Sequence, residues 1–270
     1  MANTDNLYIY VSPHFHLYGA EKSLLAILKE MKSRHKKTIV ILPQYGEICE
    51  VLEREKIEYI ICKFTYNVNY LNRQRWIYGT VKYLYNYFSA LKVLKKIKGR
   101  KVAFVHTNSI VTDFGVQLAH MLRCPHIQHI REFGKRDFHM TFELGKKFLQ
   151  RLHKKDSAII CISNAIKKEY STIFAEQKMK VIYNGVKQNN KNNDRIFYDF
   201  NLLAAPPKIM LVGRLSEEKG QMEAIKAVEL LKQHVKQIQL DLYGDGADKP
   251  KLLEYVESNQ LVDTDRKSVV

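Results

Sequence analysis

The chain is 270 residues long and 46% hydrophobic with 11% aromatic residues, enough apolar side chain for one large core or two smaller ones. That composition excludes a disordered chain, while a formal charge of +16 calls for an acidic partner: nucleic acid, an anionic membrane or a phosphate-bearing substrate. No apolar run approaches the ~20 residues of a membrane span, and Met1 leads straight into polar residues without a signal peptide, so the expected location is cytoplasmic, at most peripheral on the inner face of a membrane.

The first predicted strand, residues 7–12, runs into the loop His14-Phe-His16-Leu-Tyr-Gly19-Ala20-Glu21 and a helix over 21–31. Gly19 at the helix start lets a bound group approach the backbone, and such loops at the carboxyl edge of a parallel sheet are where ligands sit. His14 and His16 supply two metal ligands, too few for a site. Strands at 38–43 and 57–61 precede a long helix over 76–97 and a strand at 102–106, which ends on His106 and continues into Thr-Asn108-Ser109. A helix over 113–122 leads to the strand 126–130, followed by Arg131 and Glu132. His126 and His129 face opposite ways on that strand and cannot share a metal. His129, nearer the carboxyl end, is placed to line one cleft with His106; the alternative is a hydrogen-bonded core histidine. Strands at 158–163 and 180–183 alternate with helices over 141–153 and 164–174, and Asn184-Gly185 is a turn signal. The stretch 141–155 sets Phe142, Phe148, Leu149 and Leu152 against Lys146, Lys147, Arg151, Lys154 and Lys155. It reads either as a helix lying in an anionic lipid interface or as one packed on the sheet with a wet basic face. Cys49, Cys62, Cys124 and Cys161 form no C-x-x-C pair, as expected of buried thiols in a reducing compartment.

Several strands are continuously apolar, and the βαβα order indicates an α/β fold with a doubly wound parallel sheet. Residues 187–194, with four Asn in eight positions, and Ala204-Ala-Pro-Pro207 break the pattern. The expected organisation is a Rossmann-like domain over 1–187, a linker over 188–207, and the start of a second Rossmann-like domain over 208–270. That second part holds a strand at 208–212, a helix over 220–232, a strand at 238–243 and a helix over 249–257. Two βα units are fewer than the five or six strands of a doubly wound domain. The expectation is therefore a truncated second domain whose strand 208–212 keeps an unpaired apolar edge.

The most informative stretch is Ile209-Met-Leu-Val-Gly213-Arg214-Leu-Ser-Glu-Glu-Lys219-Gly220: strand, glycine turn, helix start. A helix N-terminus offers free N–H donors and partial positive charge, Gly213 permits close approach, and Arg214 and Lys219 add two full charges, suiting a diphosphate. A surface turn with solvated cations is the competing reading. Neither Gly-x-Gly-x-x-Gly nor Gly-x-x-x-x-Gly-Lys-Ser/Thr is present, which excludes the dinucleotide fingerprint and the P-loop. Gly244-Asp-Gly246 reads as a βα turn beside a ligand cleft.

Taken together and in this order, Gly19-Ala20-Glu21, His106-Thr-Asn108-Ser109, His129-Ile-Arg131-Glu132, Tyr183-Asn184-Gly185-Val186, the 212–220 turn and Tyr243-Gly244-Asp-Gly246 resemble retaining family 4 glycosyltransferases of the GT-B fold. The resemblance implies two Rossmann-like domains. A nucleotide-sugar donor would be held by the second, a glycan or lipid-linked acceptor by the first, and a sugar would be moved between them in cell-surface polysaccharide or glycolipid synthesis. It implies catalytic roles for His129, Arg214 and Lys219, with the two cations stabilising the leaving diphosphate where other folds use a metal. Gly19, Ala20, Glu21, Asn184, Gly213, Gly244 and Gly246 would join Arg214 and Lys219 around the donor, and His106, Asn108, Arg131 and Glu132 would face the acceptor. No metal or other cofactor is expected. The Glu-x7-Glu motif that the resembled family carries in its second domain is not found in 208–270, and the tail 264–270 matches nothing in that family. The expectation is therefore a glycosyltransferase that is incomplete as given, lacking the C-terminal donor-sugar motif. Two rival readings are a catalytically dead fragment acting as an interaction module, and a basic nucleic-acid-binding protein. The second is opposed by dispersed charge and the lack of a recognition motif, so no nucleic-acid partner is expected.

Overall fold

The computed structural model describes residues 6–71, 73–134, 139–185, 208–232, 234 and 238–261. The chain divides into two compact units, Met1–Lys187 and Gln188–Val270, each described by itself below.

In chain order the first unit contains β1 (Leu7–Val11), α1 (Gly19–Ser33), β2 (Lys37–Leu42), α2 (Glu47–Arg54), β3 (Glu58–Ile61), β4 (Val68–Asn69), α3 (Trp76–Lys96) and β5 (Val102–Thr107). There follow α4 (Phe114–Leu122), β6 (His126–Ile130), β7 (Thr141–Phe142), α5 (Gly145–Leu152), β8 (Ala158–Cys161), α6 (Asn164–Tyr170) and β9 (Met179–Val181). Seven strands form one parallel sheet in the order β3-β2-β1-β5-β6-β8-β9. Alternate residues of β1 feed two different cores. Leu7, Ile9 and Val11 join Ala90 and Val93 of α3 and Phe114 and Leu118 of α4 on one face. Tyr10 joins Leu24 and Leu28 of α1 and Leu52 of α2 on the other. Both faces are therefore covered, which is why these strands read as continuous apolar runs. The strand order reverses between β1 and β5, so the loops leaving their carboxyl ends diverge and open a crevice there.

Two expectations are corrected. The helix foreseen over 141–153 begins at Gly145, because Thr141–Phe142 pairs antiparallel with β4 and Gly145 turns the chain at φ +78°. The same segment does not offer an apolar face to lipid. Phe142, Leu149 and Leu152 are buried, while Lys146, Lys147, Arg151, Lys154 and Lys155 are exposed. It is a packed helix with a wet basic face. The eight-residue α2 was not foreseen; it buries Ile48, Cys49 and Leu52, too few apolar positions to show a period from sequence alone.

The second unit contains β10 (Lys208–Val212), α7 (Gln221–Leu231), β11 (Gln239–Tyr243) and α8 (Lys249–Ser258), with β10 and β11 parallel. Leu215, Ile225 and Leu252 form its small core. Among the described residues β10 pairs with β11 alone, and its Met210 and Val212 are 66% and 68% exposed. The expected linker over 188–207 and the tail over 264–270 lie outside the described residues. No helix among the described residues is long and apolar enough to cross a membrane.

Candidate active site

In the first unit, polar side chains collect at the carboxyl ends of β1, β5, β6 and β9. Strand β5 delivers His106 and, one step past its end, Asn108, whose backbone N–H donates to Val11 O at 2.8 Å. Strand β6 delivers His129 and then Arg131. The Arg131 guanidinium donates through Nε to Asn108 Oδ1 (2.9 Å) and through Nη1 to Asn184 Oδ1 (3.0 Å), and its Nη2 lies 3.4 Å from His129 Nδ1. Asn108 in turn donates to Ala20 O at 3.2 Å, tying this group to the first turn of α1. One planar cation thus joins three strand ends and a helix start.

His106 Nε2 and His129 Nδ1 are 3.2 Å apart in stacked rings, both residues buried. Arg131 can only donate, so His129 Nδ1 accepts and His106 Nε2 carries the proton between the rings. The proton of His129 then sits on Nε2, a buried N–H with no partner among the described residues. Burial first, and the Arg131 charge second, push His106 down to about 3 and His129 to about 2. Both imidazoles are neutral at physiological pH. The expectation that His106 and His129 line one place is met geometrically, with Arg131 and Asn108 beside them.

Glu132 takes a different position. Its carboxylate accepts from Ser109 Oγ, from Ile110 N (2.9 Å) and from Arg131 N (3.1 Å). Burial raises its pKa and those hydrogen bonds pull it back. Those contacts make it the clamp that fixes the 109–111 turn. Glu21, fully buried in the first turn of α1, accepts from Ser12 Oγ at 3.2 Å, and His14 Nδ1 lies 3.4 Å away without forming a hydrogen bond. Glu21 Oε2 has no partner among the described residues. The space a Gly19 Cβ would fill is empty to 4 Å, and α1 begins without a side-chain cap, so its first N–H groups are open to a ligand.

The second unit carries the diphosphate candidates. Gly213 follows β10, and a turn of 3-10 helix over Glu217–Lys219 leads through Gly220, at φ +73°, into α7. The start of α7 has no side-chain cap, and Lys219 is exposed nearby in sequence. Arg214 donates to Glu218 Oε1 at 2.8 Å; backbone and Arg214 hydrogen bonds pull Glu218 down to about 2. Of the two charges expected from this turn, one is therefore partly offset by Glu218. Gly244 and Gly246 are accounted for by packing: a Cβ would come within 1.9 Å of Gly213 O and 2.2 Å of Leu215 O. Leu215 N donates to Asp245 O at 3.0 Å, so the loops after β10 and β11 lie backbone to backbone.

The model of Glycosyltransferase Family 4 matches residues 18–189, and that of Glycosyl transferases group 1 matches residues 192–264. The chain belongs to glycosyltransferase family 4.

Comparison with curated protein sequences gives no match. Among solved structures, the family 4 chain is similar to Anabaena Alr3699/HepE in complex with UDP, with a TM-score of 0.64 at 19% identity over 94% of this chain and 65% of that one. A glycosyltransferase from Rickettsia africae ESF-5 gives a TM-score of 0.66 at 19% identity over 95% of this chain and 65% of that one. S. aureus TarM, solved with UDP among its ligands, gives 0.60 at 11% identity, covering 94% and 75%. At such identities the likeness concerns the fold, which is α/β of the GT-B class. The chain spans about 65% of the length of the first two of these structures.

Sequence reasoning on this family 4 chain missed Ser12, whose hydroxyl bridges Glu21 Oε1 and His14 O; a serine at a strand end carries no distinguishing signal. It also missed a buried group at the amino end of β6. His126 Nδ1 and His153 Nδ1 lie 2.9 and 2.6 Å from the two oxygens of Asp156, and Thr107 Oγ1 lies 2.8 Å from His126 Nε2. Burial alone would raise Asp156; the two histidines more than offset it and hold it at about 2. The three residues could in principle ligate a metal. Their Nδ1 atoms and both carboxylate oxygens are already committed to one another, so the arrangement explains itself as a hydrogen-bonded core network.

Proposed function

We propose that this chain serves transfer of a sugar from a nucleotide-sugar donor, of the uridine diphosphate type, to a glycan or lipid-linked acceptor in cell-surface polysaccharide or glycolipid synthesis, with retention at the anomeric carbon. The observation that carries the reading is the neutral His129 Nε2–H, without a partner among the described residues, beside Arg131 at the carboxyl edge of a doubly wound sheet. A neutral imidazole donor can hold a sugar or acceptor hydroxyl without bringing a competing charge. Arg131 keeps Asn108 and Asn184 in register with it. In the second unit the uncapped start of α7, with Gly213, Arg214 and Lys219, would take the diphosphate, Arg214 exchanging its Glu218 partner for a phosphate oxygen. Charge developing on the departing diphosphate would be met by these fixed donors, a contribution on the scale of two to three powers of ten in rate per group. The residues supply this without a metal, so a chelator should leave turnover unchanged.

Titration calorimetry of UDP into the 270-residue chain tests the donor assignment. Arg214→Ala and Lys219→Ala should each weaken UDP about tenfold or more, whereas His129→Ala should keep UDP affinity within about twofold. Unchanged affinity in both cation variants would overturn the placement of the diphosphate at this turn.

A further inference from the structure

Helix α3 is apolar on two opposite sides. Gly79, Asn86, Ala90 and Val93 form its buried stripe, small enough for close packing on the fold. Half a turn around the axis, Ile77, Val81, Leu84 and Phe88 recur at the i, i+4, i+7, i+11 spacing of a single face, and they are 86%, 59%, 48% and 60% exposed. Trp76, Tyr78, Tyr85 and Tyr87 flank that stripe, and Tyr70 and Leu71 extend it just before the helix, all of them exposed. An apolar face on this scale marks an interaction surface, because single scattered hydrophobics would not keep helical register.

The charge around it has one sign. Between Glu58 and Asp113 the sequence holds ten Lys and Arg (Lys63, Arg73, Arg75, Lys82, Lys92, Lys95, Lys96, Lys98, Arg100 and Lys101) and no Asp or Glu. Lys82 is turned to Glu143 and Arg100 to Glu58, which leaves Lys92, Lys95 and Lys96 exposed along the last turns of α3 and Arg73 exposed ahead of it. At Trp76 the apolar surface continues into a cleft of about 530 Å³. Phe133, Met140 and Phe142 line it, with Arg73, Lys146 and Lys147 among its cations.

We propose that the exposed face of α3 docks on an anionic lipid bilayer. Ile77, Val81, Leu84 and Phe88 enter the boundary between headgroups and acyl chains, the tyrosines and Trp76 sit at headgroup level, and Lys92, Lys95 and Lys96 meet lipid phosphates. A second copy of the chain is a poor occupant, since it would bring the same basic helix, and a further +16 overall, against this one. An anionic bilayer complements both the charge and the amphipathic rings. The surface requires neither donor nor acceptor, so it stands independently of the glycosyl-transfer reading.

Trp76 is the only tryptophan in the sequence and lies at the edge of this face, so it reports directly. Vesicles of phosphatidylcholine with about one-third phosphatidylglycerol should shift its emission to the blue and co-sediment the protein, with binding falling at least tenfold at high salt. Pure phosphatidylcholine should do neither. Ile77→Ser with Phe88→Ser should reduce vesicle affinity at least tenfold, and Lys92→Gln with Lys95→Gln and Lys96→Gln several-fold. Lys154→Gln with Lys155→Gln, just past the packed basic helix, should change it less than twofold. These side chains are exposed, so circular dichroism should stay unchanged and UDP affinity should be retained, which separates failure here from failure of the donor assignment. Absence of binding to the anionic vesicles, or binding indifferent to the Ile77 and Phe88 substitutions, would overturn the proposal. So would a dimer in sedimentation velocity that those substitutions dissolve, which would make the occupant a second copy.

Discussion

The His106–His129 pair makes the stability of the first unit depend on pH in a calculable way. Both imidazoles are held far below their ordinary value of 6.5 by burial and by Arg131. The unfolded chain therefore binds protons below pH 6.5 that the folded chain refuses, and stability is lost as the pH falls. At pH 5 each unfolded imidazole gains about 2 kcal/mol from protonation, whereas any folded pKa below about 4 gives almost nothing in return. The pair thus costs about 4 kcal/mol between pH 7 and pH 5, a large share of the roughly 5–15 kcal/mol that stabilises a domain. Asp113 acts in the opposite direction, because burial raises it to about 7 and its contribution is lost as the pH rises. Comparing the native chain with His106→Phe/His129→Leu cancels Asp113 and every other common group. Urea unfolding at pH 7 and pH 5, followed by circular dichroism, should show the native chain losing about 4 kcal/mol more than the variant over that interval. Equal losses in the two proteins would mean that the rings are protonated or solvated in the fold, and the neutral-donor argument for His129 would go with them.

Two further outcomes follow from packing. A Cβ at Gly115 would lie 1.9 Å from Thr107 Oγ1, so Gly115→Ala should destabilise by about 1–3 kcal/mol in thermal unfolding, whereas Gly19→Ala, with nothing within 4 Å, should leave stability unchanged within about 0.5 kcal/mol. Glu143 is fully buried, with Oε1 2.9 Å from Lys82 Nζ and Oε2 accepting from Asn69 at 3.0 Å. Lys82→Met should cost about 3–5 kcal/mol by stranding that carboxylate, and adding Glu143→Gln should recover part of the loss in a double-mutant cycle.

The architecture was legible from sequence because parallel strands buried on both faces leave unbroken apolar runs. All seven predicted strands of the first unit are present, and the parallel sheet was expected. The two-residue strands β4 and β7 and the short α2 were not, since segments of that length carry no period and owe their conformation to what they pack on. That His106 and His129 lie together was readable from their places near the carboxyl ends of neighbouring strands, while Asn108 and Arg131 entered only through the family resemblance. The chemistry of the two rings was not readable. Which histidine nitrogen carries a proton, and that both rings are neutral, depends on burial and on the Arg131 guanidinium, which bonds Asn184 from a distant strand end; none of this leaves a mark in local sequence.

Charge shows the same division. Sequence alone determined the +16 balance and the absence of any acidic residue from 59 to 112. It could not say which amphipathic helix turns its apolar face outward. The stretch over 141–155 and helix α3 both mix aromatic and basic residues, but α5 buries Leu149 and Leu152 while α3 exposes Ile77 and Phe88. Periodicity fixes that a helix has an apolar side; only the sheet and the neighbouring helices decide whether that side is covered. On α3 the small residues Gly79, Ala90 and the buried Asn86 occupy the inward face, which leaves the larger apolar side chains on the outward one.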